Sequence, residues 1–225
     1  MQTIGVRQIA TFVALFAAAL AAGVATVWWT LGALPLGDFR GVVLLLAMGV
    51  MTYLYAFLAY RLFLRAMPLP RGELAPGSRG AFAAQVHFLF HLVLFNTLIT
   101  THFLPIPLRR LIYLALGARL GRNTYSAGAI LDPPLTRIGD HSIVGHDAVL
   151  FAHVIEGERL ALEPIEIGHR VTIGAKAVIM PGVTIGDGAL VSAGAVVTKG
   201  TRIGAGEVWG GVPARRLRPV VALTN

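Results

Sequence analysis

From Ile167 to Arg202 the chain repeats every six residues without interruption: IGHRVT, IGAKAV, IMPGVT, IGDGAL, VSAGAV, VTKGTR. The first position of each block is Ile167, Ile173, Ile179, Ile185, Val191 and Val197, and Ile203 continues the series. The fifth is Val171, Ala177, Val183, Ala189, Ala195 and Thr201, always small or β-branched. A period of six is neither the 3.6 of a helix nor the 2 of a one-faced strand. It predicts a β-solenoid in which each block is a short strand plus a turn. The first residue should point into the coil, and the fifth should be small enough to lie beneath the next coil. Gly168, Gly174, Gly186 and Gly204 follow the first aliphatic, where they are expected to supply turn geometry that a Cβ would hinder.

The same register runs backwards through Leu150, Val144 and Ile138, and Leu120 falls in frame. The blocks at Ser126 and Asp132 fit poorly, and Pro133 and Pro134 lie there, so the first coil is expected to be irregular. With three blocks per coil, the coils are roughly 120–137, 138–155, 167–184 and 185–202, with a partial coil from Ile203. Coils stack at about 4.8 Å, which makes a short prism with exposed edges, and association of several chains is the expected remedy. One segment breaks the repeat. Residues 156–166 are extra and must leave the coil as a loop. An insertion at one corner of a repeat protein marks a working face. His153, just before the exit, is a candidate base because an imidazole titrates near neutrality.

The other half is different. The chain is 56% hydrophobic and 13% charged, with mean hydropathy +0.71, against roughly a quarter charged in soluble domains. Its formal net charge of +8 is concentrated: residues 1–125 hold ten Lys/Arg against two Asp/Glu, and residues 126–225 hold nine of each. Basic residues flanking apolar runs fit membrane topology rather than a nucleic-acid footprint. There is no cysteine, which excludes disulfides, thiolate metal sites and a cysteine nucleophile. Two spans are expected at about 9–36 and 41–64, each long enough for ~30 Å of hydrocarbon at ~1.5 Å per residue. The first exceeds a signal-peptide core of about 7–15 residues. Arg61, Arg65, Arg71 and Arg79 after the second span place that segment and the N-terminus on the cytoplasmic side, and the loop with Asp38 and Arg40 outside.

A third apolar stretch at about 81–104 carries Gln85, His87, His91, Asn96 and His102 and is flanked by basic residues on both sides. It is expected to lie in the interface or re-enter, with a true third span as the alternative. His87 and His91 share a helical face, and their polar groups are expected to face protein or headgroups rather than a metal. Pro105 and Pro107 end this stretch. Arg109, Arg110 and Arg119 of the following short helix should meet headgroups or the rim of the β-domain. The domains are thus a membrane region, 1–108, and a hexapeptide-repeat region, 109–225.

The run HVIEGERLALEPIEIG, then PGVTIGDGA, VVTKG and GVPARRLR, resembles the hexapeptide-repeat acyltransferases, closest to galactoside-, maltose- and colanic-acid-type O-acetyltransferases. The likeness covers residues 120–219. It implies a left-handed parallel β-helix, a homotrimer, and acyl-CoA bound between neighbouring prisms. It implies that His153 is the general base of a direct transfer and that the Ala175 backbone holds the oxyanion and contacts the coenzyme. By position Ala193 meets the pantetheine arm, Thr198 and Lys199 lie near the phosphates, and Arg215 and Arg218 are basic coenzyme contacts. Lys and Arg suit a phosphate-bearing ligand. Where the soluble enzymes place an acceptor-binding Asn, this chain has Tyr125 and Ser126, with Asn123 two residues away. The membrane half more distantly resembles bacterial membrane-attached members and the terminal membrane regions of peptide-synthetase-like proteins.

His141 and His146, with His169, resemble the zinc-binding histidines of γ-class carbonic anhydrases, but their order and spacing fit poorly, and no metal is expected. The reading is a membrane-anchored enzyme of a bacterial inner membrane, with its β-helix cytoplasmic. It takes acetyl-CoA or another acyl-CoA as donor and a lipid-linked or amphipathic acceptor, with no nucleic-acid partner. A non-catalytic scaffold on a degenerate β-helix and a zinc lyase are the alternatives.

Overall fold

The computed structural model describes residues 4–101 and 104–219, so His102 lies outside the described residues. The N-terminal half is helical. Helix α1 (Val6–Leu31) and helix α2 (Arg40–Ala66) form a hairpin. α1 ends before residue 36 because Pro35 has no N–H with which to continue the ladder. The two helices pack closely enough that a Cβ on Gly23 would lie 2.8 Å from the Thr52 backbone nitrogen. Thr26 and Tyr55 share a 2.9 Å hydrogen bond.

After a two-residue strand, β1 (Gly72–Glu73), Ser78 caps helix α3 (Arg79–Phe90) by accepting from the Ala81 N–H at 3.1 Å. A π-helical turn, His91–Phe95, leads into α4 (Asn96–Thr100). Such turns often mark functional positions in helices. Val6–Leu31, Gly37–Ala66 and Arg79–Thr100 are each long and apolar enough to cross a membrane, by length and composition. The third differs in being mostly buried against protein. Its Gln85, His87 and His91 are buried inside the molecule, so the expectation that these groups face protein is met. Phe12 of α1 meets Phe90 edge-on at 5.1 Å, and Gln8 donates to Gln85 at 2.7 Å.

Helix α5 (Ile106–Leu116) starts after Pro105 and stops at Gly117, whose φ of +109° ends the helix in the left-handed conformation. Its polar side chains reach the rim of the β-domain. Arg109 donates to Ala127 O at 2.6 Å, Arg110 to Gly121 O at 2.8 Å, and the Tyr113 hydroxyl to Gly128 O at 2.8 Å.

The solenoid follows the predicted register. Its coils are β2–β3–β4 (Arg119–Leu120, Tyr125–Ser126, Ala129–Ile130), β5–β6–β7 (Thr136–Ile138, Ile143–Val144, Val149–Leu150) and, after an interruption, two more. The interruption holds β8 (His153–Glu156) and β9 (Arg159–Leu162). Coil three is β10–β11–β12 (Ile165–Ile167, Thr172–Ile173, Val178–Ile179), and coil four is β13–β14–β15 (Thr184–Ile185, Leu190–Val191, Val196–Val197). β16 (Arg202–Ile203) and β17 (Glu207–Gly210) begin a fifth, and β18 (Arg215–Pro219) folds back antiparallel on β17.

Three parallel sheets result, with orders β2-β5-β10-β13-β16, β3-β6-β11-β14-β17 and β4-β7-β12-β15. Leu120, Ile138, Ile167, Ile185 and Ile203 stack in one column. The fifth-position Val171, Ala177, Val183, Ala189 and Ala195 are buried. The first coil is irregular, as expected. Its third inward residue is Ile130, in register with Leu150, and a short helical turn at Pro133–Leu135 takes up the remaining residues before β5.

Two expectations are corrected. The glycines after the first aliphatic are not the turn-formers. The left-handed residue is the fourth of each block, Arg170, Lys176, Gly182, Gly188, Gly194 and Gly200. The second-position glycine is needed because the coils stack too closely there: a Cβ on Gly186 would lie 2.5 Å from Ala205 N and 2.9 Å from its Cα. Gly186→Ala is therefore expected to destabilise by about 1–3 kcal/mol through overpacking. Thermal unfolding in detergent should show this as a fall of roughly 2–4 °C per kcal/mol. Gly49→Ala, on an open helix face with nothing within 4 Å, should not lower the midpoint.

The second correction concerns the insertion, which is not a loose loop. β8 and β9 pair antiparallel around a turn at Gly157, whose φ is +58°. β9 also pairs with β1 from the helical half. Backbone groups that leave the coil are satisfied by forming a small sheet of their own.

Candidate active site

The failed register of the first coil has a purpose. Ile130 fills the coil, and the chain then turns at Asp132, with φ −120° and ψ +72°, into the Pro133–Leu135 turn. This places the Asp132 carboxylate, 1% exposed, in the seam between the solenoid and α3. His153 opens the hairpin one coil later, where its backbone pairs with Leu162. Its ring lies edge-on to Phe88 of α3 at 5.2 Å and tilted on Phe151 at 5.6 Å.

Asp132 joins two imidazoles. Oδ2 is 2.7 Å from His153 Nδ1 and accepts the Ala152 N–H at 2.7 Å. Oδ1 is 3.1 Å from His87 Nε2. His87 Nδ1 is 2.8 Å from the Tyr60 hydroxyl. An ionised carboxylate only accepts, so both imidazoles donate to it. His153 then carries its proton on Nδ1 and leaves Nε2 as an acceptor. His87 carries its proton on Nε2 and accepts the Tyr60 O–H at Nδ1.

Burial pushes the Asp132 carboxyl up, but hydrogen bonds from His153 and then His87 outweigh it and hold the group ionised. Burial pushes His153 down, and the Asp132 hydrogen bond and charge more than reverse it, so His153 is a stronger base than a free imidazole. Its side chain is 26% exposed and borders a cavity of about 370 Å³. Phe88 and Leu92 wall the cavity on the α3 side, and Ile155 and Leu160 on the hairpin side, with His91 and Arg159 also on its lining. This is the size and apolar character of an organic ligand site with few polar anchors.

The other expected residues divide between corners. Lys199 follows β15 at the corner shared with His153, two coils further along, and its ammonium ion-pairs with Glu156 of the hairpin. The Lys199 hydrogen bond holds Glu156 below the usual carboxylate range. A phosphate that uses Lys199 must therefore displace Glu156. Thr198 Oγ1 lies 3.2 Å from Thr201 Oγ1. Ala175 and Ala193 follow β11 and β14, so they lie at the next corner, up to one face of six residues, about 20 Å of extended chain, from His153. Within one chain, therefore, base and expected oxyanion donor are not brought together. Arg215 lies on β18 and donates to Ala214 O at 3.3 Å, and the side chain of Arg218 lies outside the described residues.

His141 and His169 share one corner, but His146 occupies the next, its Nε2 3.5 Å from an Asp147 carboxylate oxygen, and His169 Nδ1 accepts the Asp140 N–H at 3.0 Å. Among the described residues no group of three or more His, Cys, Asp or Glu is placed to hold a metal ion. The sequence singled out His153 and gave His87 only a protein- or headgroup-facing role, and it did not single out Asp132 or Tyr60. The available signal was the misfit at Asp132 followed by two prolines.

Residues 164–199 match the family model for the hexapeptide repeat of succinyl-transferase. No relative among curated proteins matches the sequence. A hexapeptide-repeat-containing acetyltransferase from Vibrio cholerae superposes with TM-score 0.51 at 22% identity, over 67% of this chain and 96% of that one. This is a likeness of fold. Such an acetyltransferase from Vibrio cholerae O1 biovar eltor, complexed with acetyl coenzyme A, is 30% identical over 47% of this chain, with TM-score 0.43. The match spans 61% of that chain, less than two thirds. A galactoside acetyltransferase in complex with coenzyme A is 24% identical, over 72% of this chain and 91% of its own, with TM-score 0.49. The solenoid half is thus similar to hexapeptide-repeat acetyltransferases.

Proposed function

We propose that this chain is a membrane-anchored, acyl-CoA-dependent acyltransferase, most simply an acetyltransferase, that modifies a hydroxyl or amine on a lipid-linked or amphipathic acceptor. The observation that carries this reading is the Asp132–His153 pair, 2.7 Å apart, opening onto an apolar cavity between α3 and the hairpin. His153 Nε2 takes the acceptor proton as the acceptor oxygen or nitrogen attacks the thioester carbonyl. The tetrahedral adduct then expels the coenzyme thiolate, which recovers the proton from Nε2. Asp132 fixes the reactive tautomer and balances the imidazolium that forms. Ala175 and Ala193 at the adjacent corner are assigned to the coenzyme, together with Thr198, Lys199, Arg215 and Arg218. Because that corner lies a face away, the complete site takes His153 from one copy and Ala175 from another, in a homotrimer of left-handed prisms.

The cavity's walls argue for an acceptor with an apolar portion beside its nucleophile. The exposed apolar side chains of the helical pair α1 and α2, among them Trp29, Leu45, Leu46 and Val50, make a surface suited to hydrocarbon rather than water. With those helices in a bacterial inner membrane and the basic flanks inside, the solenoid is cytoplasmic, where acyl-CoA is available.

The test is transfer of label from carbon-14 acetyl-CoA into chloroform-extractable material. Detergent-purified full-length protein would be incubated with total bacterial lipid extract. Label in the organic phase supports the reading. Label confined to water-soluble sugars, or no transfer at all, overturns it in favour of a soluble acceptor or a scaffold. Ile155→Asp places a charge on the cavity wall. It is expected to raise the half-saturating amount of lipid extract about tenfold, equivalent to ~1.4 kcal/mol, with the KM for acetyl-CoA unchanged.

A further inference from the structure

His87 takes no part in the proton transfer above, yet it is 1% exposed and both its ring nitrogens are engaged. We propose that His87, oriented by Tyr60 of α2, is a positioning residue that sets the basicity of His153 through the carboxylate they share. This rests on the reading of His153 as the base.

The reasoning is one of competition for a single anion. Asp132 accepts from His87 at Oδ1 and from His153 and Ala152 at Oδ2. Each donor stabilises the carboxylate and reduces what it offers the others. Loss of the His87 donor leaves more of the negative charge to the His153 imidazolium, which raises the His153 pKa further. His87 can donate only if its proton is on Nε2, and Tyr60 enforces this by donating to Nδ1 at 2.8 Å. The Tyr60 ring is fixed between Phe90 at 5.4 Å and Phe95 at 5.3 Å. A polar path thus runs from the C-terminal part of α2 to His153, through Tyr60, His87 and Asp132. A buried path of this kind is retained only when each member is satisfied.

The other titratable groups around it are few. His91 of the π-helical turn and Arg159 of β9 line the same cavity. Arg61 follows Tyr60 on α2 itself. Arg159 is already paired with Glu73 of β1 at 3.3 Å and Glu163 at 3.7 Å. Neither His91 nor Arg159 is hydrogen-bonded to Asp132, so the His87 contact is the one to vary.

The experiment titrates His153 directly, by nitrogen-15 NMR of histidine-labelled full-length protein in detergent, with the resonance assigned by its loss in His153→Ala. The acid limb of kcat/KM for label transfer is measured alongside. Gln places an amide N–H close to where Nε2 stood, whereas Leu has no donor. His87→Leu is expected to raise the His153 pKa, and with it the acid limb, by roughly one pH unit. His87→Gln should restore the wild-type value. Tyr60→Phe, which keeps the ring packing, should shift the pKa upward by less than His87→Leu. If the Leu and Gln variants titrate alike, or if neither variant nor Tyr60→Phe moves His153, the proposal is overturned and His87 is a packing residue. If the NMR shifts appear but wild type transfers no label, the coupling stands and the transferase reading fails.

Discussion

His153→Ala is expected to reduce label transfer by about 10²–10⁴-fold, with acetyl-CoA binding by calorimetry unchanged. In the proposed mechanism the base acts on the acceptor proton and not on the coenzyme, so the effect should fall on kcat. The ring is 26% exposed and borders a cavity, so its removal leaves space that water can enter rather than a collapsed core. The fold should therefore survive, because Asp132 keeps the Ala152 N–H and His87 as donors, with a thermal midpoint lowered modestly by loss of the His153 hydrogen bond. Retention of more than a tenth of wild-type transfer would remove His153 from the mechanism.

Asp132→Asn is expected to be nearly as damaging, by a different route. The amide presents one acceptor and one donor to two imidazoles that both need an acceptor. His153 then turns to the other tautomer, with its proton on Nε2, where the base should be. A fall of about 10²–10⁴-fold is expected, the scale of losing general-base assistance. The residual activity carries a signature. In wild type the carboxylate holds the His153 pKa above the ordinary imidazole value, and the active form is neutral, so activity is lost as pH falls through that raised pKa. In Asp132→Asn the raising charge is gone, and the acid limb moves to lower pH. This is opposite in direction to the shift expected for His87→Leu. Asp132→Ala should differ again. It leaves two imidazole donors and the Ala152 N–H buried without their acceptor, and a loss of about 3–5 kcal/mol of stability is expected, read as incomplete folding or a much lowered midpoint. A neutral effect of Asp132→Asn on both rate and pH profile would reduce the carboxylate to a structural anchor.

The solenoid was legible because its chemistry is local and periodic. Ile167, Ile173 and Ile179 face inward for the same reason that they recur. His153 was legible because an insertion interrupts that period beside it. The hairpin character of the insertion was not, since β9 is ordered partly by pairing with β1, some 90 residues earlier in the chain. Asp132 was hidden for a related reason. It sits where the hexad fails, and failure of a pattern does not say what replaces it. His87 was expected to face protein or headgroups, and nothing in the sequence marked Tyr60. Their partners come from another helix and from the first coil, contacts that no spacing along α2 or α3 encodes. The second-position glycines were found, but their role was mistaken, because the distance to the next coil is a property of stacking and not of the block itself.

The three-stranded sheet of β1, β9 and β8 has a mechanical consequence. β1 lies in the connection between α2 and α3, and β9 and β8 belong to the solenoid. The join is reinforced by Arg159 and Glu73. The two halves are therefore welded at the His153 corner rather than tethered by a flexible strap. If the helices sit in a bilayer, as proposed, this sheet would keep the prism from swinging outward. His153 would then be held at one altitude above the lipid, and acceptors would be selected by the height at which they carry their nucleophile. Under that reading the search for an acceptor would become lateral diffusion in two dimensions, and molecules whose reactive group rides too deep or too high would pass beneath or above the site unmodified.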